Sequence, residues 1–314
     1  MNETTFNPNL IVPAGTEIVA RIPVRALGGT HELPTGAVGV VVQSPLDGLH
    51  AYRVRFVDGT EAMLRRAELA VLKHVQRWGL EHVGGVLADY NLFDHVIFRC
   101  VTGSRAYGLD EAGSDTDRRG VYLPPAELHW SLYGVPEQVE SVATEEAYWE
   151  LQKFLALALK ANPNILECLW SPVVEHATPL AQELLAMRTA FLSRLVYQTY
   201  NGYVLSQFRR IEQHRRNHDG QIKWKHAMHL VRLLLAGIHT LREGAVGVHV
   251  GDARDRLLAV RRGEMEWDEI NAWRLELHRE FDHAFEKTAL PEWPDYERVN
   301  AFLVRARRST VRTE

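Results

Sequence analysis

Hydrophobic spacing divides the chain into three stretches. Up to about residue 75 the apolar residues come in short Val-rich runs, EIVARIPV, AVGVVVQS and YRVRFVDGTEAML, broken by Gly and Pro. Tyr52, Val54 and Phe56 alternate with Arg53 and Arg55, which predicts a half-buried strand, and Asp58-Gly59 predicts a hairpin turn after it. Leu80, Val83, Val86 and Leu87 then fall at helical spacing, weakened by Gly84-Gly85, in a connecting helix expected between about Leu69 and Asp94. The HVIFRCV run puts Val96, Phe98 and Cys100 on one face of a buried strand, and EQVESVATEE predicts another strand. Leu151, Phe154, Leu155, Ala158 and Leu159 form an apolar stripe, so AYWELQKFLALALKANP reads as a helix stopped at Pro163, with Asn162 or Asn164 capping the next segment. Beyond about Pro179 long amphipathic helices dominate: FLSRLVYQTYNGYVLSQFRRIEQ, then IKWKHAMHLVRLLLAGIHTLREG ending at Gly244, then Trp267 to Phe285 with Trp293 and Pro294 packed onto it.

Composition narrows the class of protein. The chain has 314 residues, 46% hydrophobic, with a formal net charge of −4, so no uniformly basic surface is available and any nucleic-acid contact must come from local patches. The candidates are Arg53, Arg55, Arg65 and Arg66 in the β region and Arg209, Gln213 and Arg216 on one helix face, whereas the terminal RARRSTVR reads as a solvated tail. Cys100 and Cys168 lie in apolar surroundings without metal-ligand spacing, as reduced core residues of a cytoplasmic protein would. The first residues lack a basic start and an apolar stretch, and no apolar run reaches membrane-spanning length, so no membrane partner is expected.

The chemistry concentrates between Val101 and Tyr122. Gly103-Ser104 follows the apolar strand and can turn its amides and hydroxyl toward an anion. Ten residues later come Asp115 and Asp117; alternating along a strand, they point to one side and repel unless a cation lies between them, and such hard oxygen donors suit Mg²⁺ bridging to phosphates. An anion cradle beside paired carboxylates equips a site for phosphoryl transfer. Farther on, Lys225, His229 and Arg232 share one helix face at i, i+4 and i+7, either a solvated polar face or a row that holds β- and γ-phosphates. The His226/His229 pair is a rival zinc fragment lacking further ligands nearby. Glu167, alone in an apolar segment, either pairs with an arginine or faces the cleft.

The wording GSRAYGL, then SDTDRRGVYLPP, then LQKFLALALKANPNILECLWSPVV resembles the RNA-repair-associated, RlaP-type branch of the DNA-polymerase-beta-like nucleotidyltransferases. The N-terminal strands are similar to small SH3- or KOW-like barrels. Together these imply an α+β protein: a small β-barrel module (residues 1–75), a polymerase-beta-type nucleotidyltransferase core (76–175) and a helical C-terminal domain (176–314). The family pattern implies catalysis at Asp115, Asp117 and a third carboxylate, here Glu145, eight residues before Lys153, where the family has Asp; Glu146 and Glu140 are rivals, and Glu145 and Glu146 could instead complement the N-terminal dipole of the following helix. It implies Mg²⁺ or Mn²⁺ on those three, with nucleotide binding by Gly103, Ser104 and Arg105 and by a Lys-His-Arg helix, here Lys225, His229 and Arg232. The implied activity is transfer of a nucleoside monophosphate from a nucleoside triphosphate to a hydroxyl acceptor, RNA or tRNA. Two alternatives stand beside it: a catalytically idle nucleotide- or RNA-binding protein of the same fold, and a nucleotidyltransferase that modifies protein hydroxyls.

Overall fold

The computed structural model describes residues 12, 14–27, 32–45, 51–72, 90–132, 134–141, 143–218 and 220–311. It divides into two compact units, Met1–Tyr90 and Asn91–Glu314.

In the first unit the Val-rich runs become β1 (Glu17–Ala20), β2 (Val24–Arg25), β3 (Glu32–Leu33), β4 (Val38–Gln43), β5 (Tyr52–Phe56), β6 (Glu61–Leu64) and β7 (Leu69–Val71). Five of them form one antiparallel sheet in the order β6-β5-β4-β1-β7, and β2 pairs with β3. The period-two reading of β5 holds: Tyr52, Val54 and Phe56 are buried with Ile18, Val41 and Leu64, while Arg53 and Arg55 are exposed. Gly59, at φ +83°, completes the β5–β6 hairpin, where Asp58 Oδ1 accepts from the Thr60 amide at 2.9 Å. The expected SH3/KOW-like barrel is not formed. Among the described residues no ladder joins edge strands β6 and β7, which follow one another through a 3-10 turn at Arg66–Glu68, so the sheet stays open at both edges. Arg53 and Arg55, expected as phosphate contacts, both close on Glu61, which accepts from them at 2.6 and 2.9 Å. Leu69–Val71, expected at the start of a connecting helix, is strand; the Leu80–Leu87 segment of that helix lies outside the described residues.

The second unit runs β8 (Val96–Thr102), α1 (Gly103–Tyr107), β9 (Asp117–Tyr122), α2 (Ala126–Trp130), β10 (Gln138–Ser141), β11 (Glu146–Glu150), α3 (Leu151–Leu159), α4 (Pro163–Leu169), β12 (Val174–Ala177), α5 (Pro179–Ala186), α6 (Leu195–Asn217), α7 (Trp224–Glu243), α8 (Arg254–Arg262), α9 (Trp267–Lys287) and α10 (Tyr296–Ser309). Its sheet has the order β10-β11-β9-β8-β12, antiparallel except for the parallel β9–β11 pair. One face carries Phe98, Cys100 and Val121 into a core shared with Leu166, Val231, Phe281 and Phe302, so a single buried cluster crosses the expected boundary at 175. The other face carries a small cluster of Val96, Tyr122 and Tyr148. Val96, expected beside Phe98 and Cys100, is turned to the opposite face by a register shift between Val96 and Phe98. Gly120 permits the close β8–β9 contact, since a Cβ there would stand 1.9 Å from the Phe98 carbonyl oxygen.

The helix expected from Ala147 is corrected to strand followed by helix. Tyr148 is needed in the cluster below the sheet, while Ala147 and Trp149 face the other way, an alternation that only a strand provides. The chain becomes helical after Glu150, whose side chain accepts from the Gln152 amide at 2.9 Å as N-cap. Pro163 opens α4 with Asn162 as its cap, and Gly244 ends α7 in the left-handed region at φ +64°, both as expected. Among the described residues no helix is long and apolar enough to cross a membrane.

Residues 305–309 of the expected tail are helical and not loose. Arg307 is buried on α10 and ion-paired with Glu150, so the last helix is fastened to the N-terminus of α3. Pro294 is buried as expected, whereas Trp293 is 60% exposed. Truncating Arg307 would leave Glu150 buried without its cation, a loss that costs about 3 kcal/mol. Arg307→Ala is therefore expected to lower the urea midpoint of the full chain clearly more than Arg308→Ala; equal midpoints would show that the pair holds nothing in place.

Candidate active site

The β8 strand ends at Thr102, directly opposite Asp117 across the β8–β9 ladder, and the chain turns at once into α1. Gly103 makes that turn at φ +70°, a conformation unfavourable to side-chain-bearing residues. A Cβ at Gly103 would also stand 2.6 Å from Asp117 Oδ2, so the missing side chain is what lets the carboxylate approach the first turn of α1. Gly108 ends α1 at φ +71°, and there a Cβ would meet the His249 ring at 2.3 Å.

These residues open onto a cavity of about 520 Å³. Its walls hold Thr102, Gly103 and Ser104 from the β8–α1 turn, Asp115, Asp117 and Arg119 at β9, and Trp149 on β11. Asn164 and Glu167 come from α4, Lys225, Met228 and His229 from α7, and Arg261 from α8. Of the expected site residues, Gly103, Ser104, Asp115, Asp117, Lys225 and His229 therefore line one cavity. Arg105, Glu145 and Arg232 do not.

Arg232 is 4% exposed and pairs at 2.7 Å with Glu167, itself 2% exposed. Tyr107 of α1 donates to the other Glu167 oxygen at 2.6 Å, and the guanidinium lies 3.7 Å from the centre of the Tyr107 ring. Burial works against the Arg232 charge, yet the Glu167 carboxylate holds the guanidinium more firmly protonated than usual. Burial, then Glu167, pushes the Tyr107 hydroxyl up, so it remains a donor. The reading of Arg232 as a phosphate ligand is therefore corrected: it shares a helix face with Lys225, but two turns farther along α7 that face is packed into the core. Glu167 satisfies both expectations for it, pairing with an arginine and facing the cleft.

Arg105 is likewise engaged elsewhere. Its Nη2 and Nε donate to the carbonyls of Ser114 and Asp115 at 2.8 and 3.2 Å, which braces the loop leading to Asp117. Asp115 lies in that loop and not in β9, whose ladder begins at Asp117. Glu145 is exposed at φ +54° in the turn before β11; its carbonyl accepts from the Arg118 amide at 3.1 Å and from Arg119 Nη1 at 2.9 Å, and its side chain does not line the cavity. No helix starts there for Glu145 or Glu146 to complement. Among the described residues no three His, Cys, Asp or Glu side chains converge as a metal-binding group. Asn162 serves as a cap and donates to the Tyr203 hydroxyl at 2.8 Å, whereas Asn164 lines the cavity.

Three features escape a reading of the sequence. Arg119 pairs with Asp117 Oδ1 at 3.1 Å and offsets the crowding of the two carboxylates; the signal was its place two residues beyond Asp117 on the same strand face. Arg261 supplies a cation from α8. The same helix clamps the loop between Gly-Ser and Asp-x-Asp: Arg254 donates to the Gly108 carbonyl at 2.8 Å, Arg261 to that of Leu109 at 3.2 Å, and Arg262 pairs with Glu111. That hydrogen bond from Arg262 holds the Glu111 carboxyl below its usual range. Burial, followed by the charges of Arg232 and Lys225, pushes His229 down to about 4, so it faces the cavity as a neutral imidazole near pH 7.

A strand running into a Gly-Ser turn, with an Asp-x-Asp pair at the start of the antiparallel neighbour, the first Asp in the loop and the second on the strand, defines the polymerase-beta-like class of site. The chain belongs to the RlaP family, described as an RNA repair pathway DNA polymerase beta family, whose model matches residues 70–305. It is also 35% identical over 102 residues to the uncharacterized protein YcgL of Bacillus subtilis (strain 168), a match covering 30% of this chain and 38% of that relative. The chain thus aligns with well under two thirds of the curated relative's length.

Two measurements probe this geometry. Gly103→Ala forces a left-handed alanine against Asp117; the backbone strain alone costs about 1–2 kcal/mol, and loss of any Asp117-dependent activity should exceed the loss of stability. Unfolded His229 takes up its proton near 6.5 and the folded protein only near 4, so acidification through that window favours the unfolded chain. In urea titrations across pH 4–6.5 the wild type should lose stability more steeply than His229→Gln, and above pH 7 the two slopes should agree.

Proposed function

We propose that the cavity binds a nucleoside triphosphate and that the protein transfers its nucleoside monophosphate to a hydroxyl acceptor, an RNA or tRNA, releasing pyrophosphate. The observation that carries this reading is the convergence of Gly103, Ser104, Asp115 and Asp117 on one cavity with the cations of Arg119, Lys225 and Arg261. In the step, the acceptor oxygen forms a bond to the α-phosphorus and the bond to the oxygen bridging to the β-phosphate breaks. Pyrophosphate leaves with that electron pair, and the hydroxyl proton passes to water.

Ser104 and the amides at the start of α1 hold phosphate oxygens, and Lys225 and Arg261 offset their charge from the helical side. Neutral His229 accepts or donates a hydrogen bond there without adding charge. The donor set fits a hard cation shared with substrate: two carboxylates, all-oxygen, with no third ligating side chain among the described residues. Asp115 and Asp117 would hold Mg²⁺ or Mn²⁺, which when bound neutralises triphosphate charge and aligns the reacting oxygens. Arg105 and Arg119 act on this pair from the protein side, the first through the loop carbonyls and the second through Asp117 itself. Cys100 and Cys168 are free and buried, which suits a reducing cytoplasmic setting.

The position of Glu145 favours a second reading, a nucleotide- or RNA-binding protein that transfers nothing, since no third carboxylate reaches the pair among the described residues. Incubating the protein with labelled nucleoside triphosphates, against RNA and protein acceptors in parallel, separates the two. Transfer should require divalent metal and vanish in Asp115→Asn and Asp117→Asn. Lys225→Ala and Arg261→Ala should each weaken triphosphate binding by about tenfold or more, the usual effect of losing one charged contact. Triphosphate binding without transfer to any acceptor would leave only the second reading.

A further inference from the structure

Beyond the triphosphate site, we propose that Trp149 forms the acceptor subsite, a stacking platform for the terminal base of a single-stranded RNA; this rests on the transferase reading above. The two flanks of Asp117 differ in what they offer. Asp117 stands on β9 with β8 on one flank and β11 on the other. The phosphate-holding residues Gly103 and Ser104 continue from β8, because Thr102 is the ladder partner of Asp117. Displacement at the α-phosphorus places the attacking and leaving oxygens roughly in line. With the leaving pyrophosphate drawn toward the β8–α1 side, the acceptor must arrive over β11.

On that flank the sheet offers an unusual surface. In the β9–β11 register Ala147 lies opposite Arg119 and Trp149 opposite Val121, on the face that also carries Asp117. Ala147 is small and buried, so no side chain from its position stands in the cavity; Trp149 is half-buried and lines the cavity. Val121 is four residues beyond Asp117, about 13 Å along a strand rising ~3.3 Å per residue, a backbone span that leaves room for a whole nucleotide between the carboxylate and the indole. Arg119 stands between them on the same face, a cation beside an incoming phosphodiester. An indole next to a cation takes bases without regard to their identity. It has no such use for an aliphatic serine or threonine hydroxyl.

The test uses the full chain and a five-nucleotide single-stranded RNA with a free 3′ hydroxyl, followed by anisotropy of a labelled copy and by tryptophan emission. Trp149→Ala should weaken RNA binding about tenfold, the usual effect of losing one stacked base, and abolish the RNA-dependent part of the quench. Trp149→Phe, which keeps an aromatic plane and guards against misfolding, should recover much of the affinity. Triphosphate binding measured without RNA should change far less than RNA binding in both variants. Equal RNA affinity in wild type and Trp149→Ala would overturn the proposal, as would a loss that falls on the triphosphate instead. Trp149-dependent RNA binding with no transfer would sink the transferase reading and leave the subsite standing. Transfer only to protein hydroxyls would do the reverse.

Discussion

The buried pair of Arg232 and Glu167 is the constraint on which the site is built. Neither charge could remain in this core alone, since an unpaired buried ion is worth several kcal/mol of destabilisation. Their pairing joins α7 to α4, and the Tyr107 hydroxyl on Glu167 adds α1, the helix that begins with Gly-Ser. Three elements distant in sequence are thereby held at one point beneath the cavity. The pair also sorts the cations of α7, with Arg232 spent inside and Lys225 left exposed at the cavity.

The floor of the site shows how crowding is managed around Asp117. Its carboxylate meets Arg119 on one oxygen and lies against the bare Cα of Gly103 with the other. A chain cation thus shares the charge of the pair. The cavity as a whole mixes signs: Asp115, Asp117, Glu111 and Glu167 face Arg119, Lys225 and Arg261. Such a mixture suits a polyanion that arrives with its own counter-cation better than a bare anion, which the carboxylates would repel.

The features legible in the sequence obey local rules. Strand β8, the Gly-Ser turn, the Asn162-Pro163 helix start and the Gly244 stop each rest on a few adjacent residues, and each stands where expected; of the Asp-x-Asp pair only Asp117 is on the strand. The errors arose where a distant partner decides. AYWEL has helical composition, but Tyr148 answers to Val96 and Tyr122 beneath the sheet. Arg232 occupies a plausible ligand position on a helix wheel, and only the fold reveals Glu167 beside it. RARRSTVR resembles a frayed end because nothing nearby announces Glu150, 157 positions away. The N-terminal strands alternate as a barrel's do, yet closure depends on how the ends meet, and alternation is silent about that.

The clamp of α8 on the loop after α1 gives the interval between Gly-Ser and Asp-x-Asp a physical meaning. Arg254 and Arg261 grip the carbonyls of Gly108 and Leu109, Arg262 grips Glu111, and Arg105 grips those of Ser114 and Asp115 from the other side. Apart from the Glu111 side chain, the anchors are backbone carbonyls at both ends, so what the clamp fixes is chiefly the length of the segment. One residue more or fewer would move Asp115 out of step with Asp117 without altering either. The spacing that first marks this chain as a candidate enzyme is therefore a ruler, and the helix that sets its length lies more than a hundred residues downstream.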